Sequence, residues 1–426
     1  SDLRFMKKVL KGLLATYVLL LASCLCAMVA VHTLPHARIE RNAVESGRQL
    51  QDCGKYPRLW GNPLLRIDTF TDALMLNVAW CADESHPLDA ALQNRYYTDD
   101  DMNAFERTQD VLNGRIAADG YYYPYARYWH GYQTWLRPML VLTDYQGILW
   151  TNTACLSLLL VLCVWTVGRH LSWRVAGLFL LALLLVAFPA VPLCIQFSTC
   201  FYIALLAVVA ILRCPRLTQS AEAACCTFFA AGALTAYLDL LTTPVLTLGL
   251  PLTVCLLYRP LWQSSKWVLR LTSVWLGGYA SLWASKCIVA QMLTDYDIVG
   301  SFLHAVQVRS VTGVSTLWTP VVSVLDNVPF YLWGSLLFLA VAVCLALIVG
   351  LWRWGRRNEA ARMNVWLVVI ALLTPCWYLL TLQHSSVHYW FTWRALASAF
   401  FALFVFIYRV TSISHEQNRS THPVLQ

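Results

Sequence analysis

Apolar residues along this chain recur in runs long enough to cross the hydrocarbon core of a bilayer, which is about 30 Å thick. These runs predict about ten transmembrane helices and an all-α polytopic membrane protein. The third run ends at Pro189 and Pro192, which favours a tilted or broken helix there. The expected spans are 10–33, 148–168, 174–190, 195–212, 222–240, 243–258, 267–290, 328–352, 363–382 and 392–411.

One connection differs from the others in size and content. Residues 34–147 separate the first span from the second and combine polar, acidic and aromatic sequence. A loop of this kind commonly carries function, because a bilayer supplies no polar chemistry of its own. We therefore expect one transmembrane domain over 1–426, composed of a structured loop with interfacial helices at 34–147 and a helical bundle at 148–411.

The basic residues predict the orientation of the chain. Positive charge in short connections marks the cytoplasmic side of a membrane protein. With an even number of spans, both termini are expected in the cytoplasm and the 34–147 loop is expected to be exoplasmic, in a bacterial inner (plasma) membrane. The residues that fall on the cytoplasmic side are Lys7, Lys8, Lys11, Arg169, Arg174, Arg213, Arg216, Arg259, Lys266, Arg270, Arg353, Arg356, Arg357, Arg362 and Arg409.

Composition agrees with this class of protein. Hydrophobic residues make up 58% of the chain, charged residues 13%, and the mean hydropathy is +0.55, which excludes an ordinary soluble domain. Topology and lipid head groups explain the net charge of +8, so no nucleic-acid partner is expected. Most of the 15 cysteines lie in expected spans; Cys53 and Cys81 lie in the loop, where a disulfide between them is left open.

Candidate functional residues begin in the 34–147 loop. Asp68 and Asp72 are four positions apart, so on a helix they share one face, either as part of a site or on an amphipathic interfacial helix. The aromatic run at 121–135 contains Tyr128, Trp129 and His130, and is either a ligand surface or an interfacial belt.

Ionisable residues also lie at the exoplasmic ends of later spans. Asp239 ends the fifth span, Lys286 lies near the end of the seventh, and Arg309 precedes the eighth. A carboxylate within a span is costly unless it faces a polar cavity or a partner, which favours a function for Asp239. Lys286 either takes part in a site or extends towards the interface.

The last exoplasmic connection contains His384, His388 and Arg394. An arginine that faced hydrocarbon would be costly, so Arg394 is expected to bind an anion such as a lipid phosphate, or to pair with an acid such as Asp239. The two histidines have a spacing that can bind metal. No HExxH glutamate accompanies them, so zinc-hydrolase chemistry is not expected.

This arrangement resembles the GT-C superfamily of integral-membrane glycosyltransferases. The resemblance covers the architecture along most of the chain: a cytoplasmic N-terminus, a large first exoplasmic loop and an acidic residue within it. It implies transfer of a sugar from a polyprenyl-phosphate carrier to a glycan, a lipid or a cell-envelope polymer. Asp68 lies farther after the first span than the acidic residue of that family usually does.

The resemblance also implies roles for particular residues. Asp68 would be the general base and Asp72 a supporting acid. Arg394, Arg309, His384 and Lys286 would receive the phosphate, and the aromatic run would stack on sugar faces. The sequence shows no required cofactor and leaves a divalent cation open. Asp239, His388, Tyr128, Trp129 and His130 complete the expected substrate-binding set.

Two other functions remain open. A transporter or lipid flippase would also place Asp239, Lys286 and Arg394 in a cavity, although no internal repeat is visible. A membrane acyltransferase would use His384 or His388 as its base. Sugar transfer in a preparation that holds only lipid-linked sugar and acceptor would separate these functions from glycosyl transfer.

The expected topology gives a first testable prediction. Reporter fusions after Arg216 and Arg357 should report the cytoplasm, because the basic connections lie there. Fusions near Gly120 and Asp297 should report the exoplasmic side. A cytoplasmic signal at Gly120 would contradict an exoplasmic site in the 34–147 loop.

Overall fold

The computed structural model describes residues 2–62, 65–99, 110–112, 120–301, 359–381, 384–385 and 388–421. This part of the chain is helical apart from one short antiparallel pair of strands, β1 Tyr96–Thr98 and β2 Tyr121–Tyr123. The helices are α1 Asp2–His32, α2 His36–Cys53, α3 Thr69–Trp80, α4 Pro87–Gln93, α5 Gln133–Leu142, α6 Tyr145–His170, α7 Trp173–Leu185, α8 Ile195–Arg213, α9 Ala221–Leu238, α10 Leu246–Tyr258, α11 Ser265–Leu293, α12 Glu359–Met363, α13 Val365–Leu380, α14 Tyr389–Thr392 and α15 Leu396–Thr421.

An all-α membrane protein is the class that these helices support. Nine of the ten expected spans coincide with helices, and the span expected at 328–352 lies outside the described residues. Within the described part, five helical segments are long and apolar enough to cross a membrane: Met6–His32, Tyr145–His170, Ile195–Arg213, Ala221–Leu238 and Trp390–Ser412. Three shorter apolar helices accompany them: Trp173–Leu185, Leu246–Tyr258 and Val365–Leu380.

The bundle has two chemically different ends. At one end, basic side chains join neighbouring helices and connections. Lys8 pairs with Glu222 at 2.8 Å, and Arg259 donates to the Thr218 hydroxyl at 3.2 Å. Arg409 of α15 donates to Gln263 at 2.8 Å at the same end. The start of α1 and the later part of α15 therefore lie at the same end of the bundle.

The segment 34–147 packs against the opposite end. Arg137 of α5 donates from Nε to the Val31 carbonyl at the end of α1, at 2.8 Å. The Gly131 amide donates to the Tyr237 carbonyl at the end of α9, at 2.9 Å. These bonds satisfy carbonyls that a helix end leaves without an intrahelical partner. The segment is thus a folded cap on the bundle, and we call it the cap.

The closest helix packing joins α9 to α11. A side-chain carbon added at Gly278 would collide with the Phe229 carbonyl oxygen, and one added at Gly232 would collide with the Trp275 carbonyl oxygen. Small residues allow backbones to approach in this way in membrane bundles. The adjacent Gly277 faces open space.

These two neighbouring glycines give a matched test of the packing. Gly278→Ala should destabilise the protein by about 1–3 kcal/mol, because α9 must move away to make room. Gly277→Ala should leave stability unchanged or raise it by up to about 1 kcal/mol, because alanine favours a helix over glycine. Thermal unfolding of the purified variants in one detergent is the measurement. Equal effects at both positions would contradict the α9–α11 contact.

Candidate functional site

The site is built around the beginning of α8. Pro189 and Pro192 end the preceding apolar segment in a short 3-10 helix, Phe188–Leu193, so α8 starts inside the protein. The first amides of a helix have no partner within it, and burial makes unsatisfied amides costly. The cap supplies the missing acceptor.

That acceptor is Asp72 of α3, whose side chain is fully buried. One carboxylate oxygen accepts from the Ile195 amide at 2.9 Å and from the Tyr145 hydroxyl at 2.7 Å. The other oxygen accepts from the Gln196 amide at 3.0 Å and from the Cys194 thiol at 3.4 Å. Both oxygens are fully engaged, so the geometry favours a positioning role for Asp72 over the expected role of supporting catalytic acid.

Burial raises the pKa of Asp72 to about 6, and the hydrogen bonds from Ile195, Tyr145 and Gln196 act in the opposite direction. The nearby Asp68 carboxylate also raises this pKa. At pH 7 most copies of the protein therefore carry a negative charge at the start of α8. The dipole of that helix favours a negative charge at this end.

Asp68 lies one turn before Asp72, at the N-cap of α3. Its carboxylate accepts from the Thr71 amide at 3.1 Å and from the Thr71 hydroxyl at 3.0 Å, and its residue is 1% exposed. Burial raises the pKa of Asp68, opposed by Thr71, by the charge of Arg66 and by the Trp390 indole. A carboxylate has about four acceptor positions, so Asp68 keeps capacity for a further proton donor.

Arg394 supplies a buried positive charge to the same region. Its Nη1 donates to the Trp390 carbonyl at 3.0 Å, and its guanidinium lies 4.3 Å from the centre of the Phe197 ring. Its Nε and Nη2 are buried without a hydrogen-bond partner among the described residues. Unpaired buried donors on a cation are costly, so these two groups point to an anionic ligand. The expected alternative of a pair with Asp239 is not made.

Asp68 and Arg394 are linked through α8 and Trp390. The Cys194 sulfur, whose proton faces Asp72, also lies 3.7 Å from the Asp68 backbone carbonyl oxygen. Phe197, whose ring packs against Arg394, is one turn further along α8. One turn of helix spans about 5.4 Å. Trp390 contacts Arg394 through its carbonyl and influences Asp68 through its indole. The cap and the last connection, which are distant in sequence, thus bring Asp68 and Arg394 to the same turn of α8.

The two histidines line the neighbouring surface. His384 and His388 lie with ring centres 4.7 Å apart, and His388 stacks on Phe391 at 5.2 Å. The His384 Nε2 donates to the Leu241 carbonyl at 2.7 Å. Leu241 has φ of 64°, a strained conformation for a bulky residue that is typical of functional segments. Among the described residues, no group of three His, Cys, Asp or Glu side chains could hold a metal ion.

Asp239 lies deeper along α8. Its Oδ2 accepts from the Thr242 amide at 2.8 Å, whereas its Oδ1 is buried without a hydrogen-bond partner in the described part of the chain. The Cys200 thiol is beside it, two turns of α8 beyond Cys194. The side chain of Thr242 lies beside the Asp239 carboxylate, and that of Thr243 beside the Cys200 thiol. These groups form a second polar surface about 9 Å from the start of α8.

Lys286 does not have the surroundings expected of a phosphate-binding residue. Its ammonium donates to the carbonyls of Ala91 and Leu92 in the last turn of α4, at 3.1 and 2.5 Å. It also lies 5.6 Å from the centre of the Trp129 ring. A cation at a helix C-terminus satisfies carbonyls that have no other partner. These contacts favour a structural role, in which Lys286 fastens α4 to α11.

The aromatic run is exposed over Tyr121–Tyr123 and is mostly internal packing after that. Trp129 donates to the Leu282 carbonyl at 2.7 Å. His130 donates from Nε2 to the Tyr125 carbonyl and accepts at Nδ1 from the Tyr132 hydroxyl, both at 2.9 Å. Burial lowers the pKa of His130 to about 3, so this ring is neutral at pH 7. Tyr128 packs edge-on against Tyr125 at 5.6 Å.

The remaining sequence expectations fall outside this cluster. Arg309 lies outside the described residues. Cys53 and Cys81 are free thiols, and the Cys81 thiol donates to the Asn77 side chain at 3.1 Å. Comparison with protein-family models, with curated proteins and with solved structures finds no match for this chain. The assignment of the site therefore rests on its own geometry.

Asp72 gives a testable prediction about how the site is held. Asp72→Asn should lower the free energy of unfolding by about 2–4 kcal/mol at pH 7, because an amide cannot accept from all four donors. Asp52→Asn, at an exposed carboxylate of the same cap, should change it by less than about 0.5 kcal/mol. Thermal or denaturant unfolding in detergent is the measurement. Identical stability of the two variants would contradict the assigned anchoring role.

Proposed function

We propose that this protein is an integral-membrane glycosyltransferase, which moves a sugar from a polyprenyl-phosphate carrier to a glycan, a lipid or a cell-envelope polymer. The observation that carries the proposal is that Asp68 and Arg394 both lie beside Trp390 and beside the first turn of α8. The first has spare acceptor capacity, and the second has two buried N–H groups that lack protein partners in the described region. Sugar transfer from a phosphate needs a base and an anion site of this kind.

The transfer step balances with these two residues. Asp68 takes the proton of the acceptor hydroxyl, and the hydroxyl oxygen forms a bond to the anomeric carbon. The bond between that carbon and the phosphate oxygen breaks, and its electron pair leaves on the phosphate. Arg394 stabilises the departing phosphate through Nε and Nη2, as guanidinium groups commonly do. The products are a glycosylated acceptor and the free carrier phosphate.

The environment of Asp68 suits a general base. Burial raises its pKa from the ordinary aspartate value, which increases its basicity at neutral pH. Asp72 is less suited, because four donors occupy its carboxylate. Asp239 has one unpaired oxygen, so it remains the rival for the base and is otherwise a contact for the acceptor, together with His384 and His388.

The membrane setting belongs to the same proposal. The protein has ten spans, both termini in the cytoplasm and the site on the exoplasmic side of a bacterial inner membrane. The cap lies at the exoplasmic end of the bundle, and the apolar face of α2, with Ile39, Ala43 and Leu50, packs inside the protein. A lipid-linked donor reaches the site from the bilayer, and no cofactor is assigned a role.

A matched set of carboxylate variants tests the function. Asp68→Asn should reduce sugar transfer by roughly two to four orders of magnitude, the usual contribution of a positioned base, without loss of donor binding. Asp239→Asn should have a smaller effect, and Asp52→Asn should be fully active. The measurement is transfer from a lipid-phosphate sugar by monodisperse protein in nanodiscs, with no ion gradient and no acyl donor present.

The same set identifies the ways in which the proposal fails. Full activity of Asp68→Asn together with an inactive Asp239→Asn would move the base to the deeper polar surface. Absence of transfer by the wild-type protein, combined with gradient-dependent movement of a lipid across the bilayer, would replace the glycosyltransferase with a transporter. Consumption of an acyl donor, abolished by His384→Ala, would replace it with an acyltransferase.

A further inference from the structure

A second arginine lies beside Asp68 and was not among the residues expected from the sequence. Arg66 precedes Asp68 by two positions, and its guanidinium carbon lies 4.2 Å from the centre of the Tyr56 ring and 4.6 Å from that of Trp390. The two rings contact each other edge-on at 5.6 Å. Arg66 is therefore held against two aromatic side chains, one from the cap and one from the last connection.

The backbone around Arg66 fixes its position. The Ile67 amide donates to the Pro57 carbonyl at 2.9 Å, and the Phe70 amide donates to the Lys55 carbonyl at 3.2 Å. Arg58 and Arg66 pair as an isolated antiparallel bridge. These bonds close the segment from 55 to 70 at its base. The backbone bonds therefore hold the Arg66 main chain in place, and the Tyr56 and Trp390 rings restrain its guanidinium.

Arg66 forms no ion pair among the described residues, although Asp68 lies close enough for the two charges to interact. No acid lies within ion-pair distance of it in the described part of the chain, and its Nε is buried without a hydrogen-bond partner there. The residue as a whole is only half-buried, so other N–H groups remain accessible. Aromatic packing restrains a guanidinium and leaves its N–H edge available, which suits it to bind phosphate.

Arg66 and Arg394 both contact Trp390, through different parts of that residue. Arg66 packs on the Trp390 ring, whereas Arg394 donates to the Trp390 carbonyl. Each has a buried donor without a hydrogen-bond partner among the described residues, and Asp68 lies close enough to Arg66 for their charges to interact. We infer that Arg66 is a second phosphate-binding residue, which with Arg394 forms a two-arginine site for the phosphate of an isoprenoid carrier. The inference rests on the proposed function for the identity of the lipid.

Direct binding tests this inference without turnover. The probe is a short-chain isoprenyl phosphate that carries no sugar, titrated into protein in nanodiscs of zwitterionic lipid and followed by calorimetry. Arg66→Gln should raise the Kd by about 10- to 100-fold, the range for loss of a charge-assisted hydrogen bond. Arg394→Gln should act in the same direction. Arg58→Gln, at the exposed residue paired with Arg66 in the bridge, should change the Kd less than about twofold.

Two further measurements separate phosphate binding from packing. The corresponding isoprenyl alcohol, which lacks the phosphate, should bind wild-type protein and Arg66→Gln equally. Arg66→Lys, which keeps the charge but not the planar donor edge, should bind the phosphate with an intermediate Kd. If Arg66→Gln does not fold, the ratio of phosphate to alcohol affinity in Arg66→Lys provides the same test. Unchanged phosphate affinity in the folded variant, or equal losses for phosphate and alcohol, would overturn the inference.

Failure of the Arg66 inference and failure of the proposed function give different results. Dependence of phosphate binding on Arg66, combined with full activity of Asp68→Asn, would leave the anion site in place and remove Asp68 as the base. Normal phosphate binding by Arg66→Gln, combined with an inactive Asp68→Asn, would leave the transferase in place and assign Arg66 a structural role.

Discussion

The position of the cap depends on the buried Asp72 carboxylate of α3, which binds the first amides of α8. A helix that begins inside a membrane protein has amides that neither water nor its own turns can satisfy. Asp72 satisfies the first two of them and also receives the Tyr145 hydroxyl from the start of α6. One side chain therefore joins the cap to two helices of the bundle. Because three elements share this carboxylate, none of them can shift without breaking hydrogen bonds in a region of low dielectric constant.

The rest of the site follows from that anchor. Asp68 lies one turn before Asp72. The bonds of Asp72 fix the N-terminal end of α3, and they therefore also hold Asp68, the candidate base, against the beginning of α8. The same turn of α8 presents Phe197 to Arg394. Trp390 then links Arg394 to the Arg66 and Tyr56 cluster of the cap. The acid and both arginines are thus held by contacts between segments more than 120 residues apart, so an error in cap docking would affect all three together.

Hydropathy and local pattern could predict much of the architecture. Long apolar runs locate helices because a bilayer requires internal hydrogen bonds of every spanning segment, and nine expected spans coincide with helices here. Asp68, Asp72 and Arg394 could be selected because charged residues near membranes are costly without a purpose. Their roles could not be separated, since the roles depend on which donors surround each group. Lys286 illustrates this limit, because its partners Ala91 and Leu92 are some 190 residues away. Arg66 and Trp390 were missed for the same reason, as neither lies in a local pattern that distinguishes a phosphate contact from interfacial packing.

Asp72 and Asp68 lie one turn apart but have different hydrogen-bond partners, which is why the proposal gives them different roles. The pKa of Asp72 in the folded protein is about 6, above the ordinary value near 3.8, so the folded state binds this proton more tightly than the unfolded chain does. The contribution of this group to stability therefore falls as the pH rises from about 4 to about 6, and is constant above that range. At neutral pH the ionised Asp72 carboxylate therefore carries a desolvation cost. Its removal would also be costly, because four hydrogen-bond donors would lose their acceptor. That combination is typical of buried groups that specify a position more than they stabilise a fold. Asp68 has fewer hydrogen-bond donors and keeps acceptor capacity, and burial raises its pKa, so the proposed reaction uses Asp68 and not Asp72 as the base.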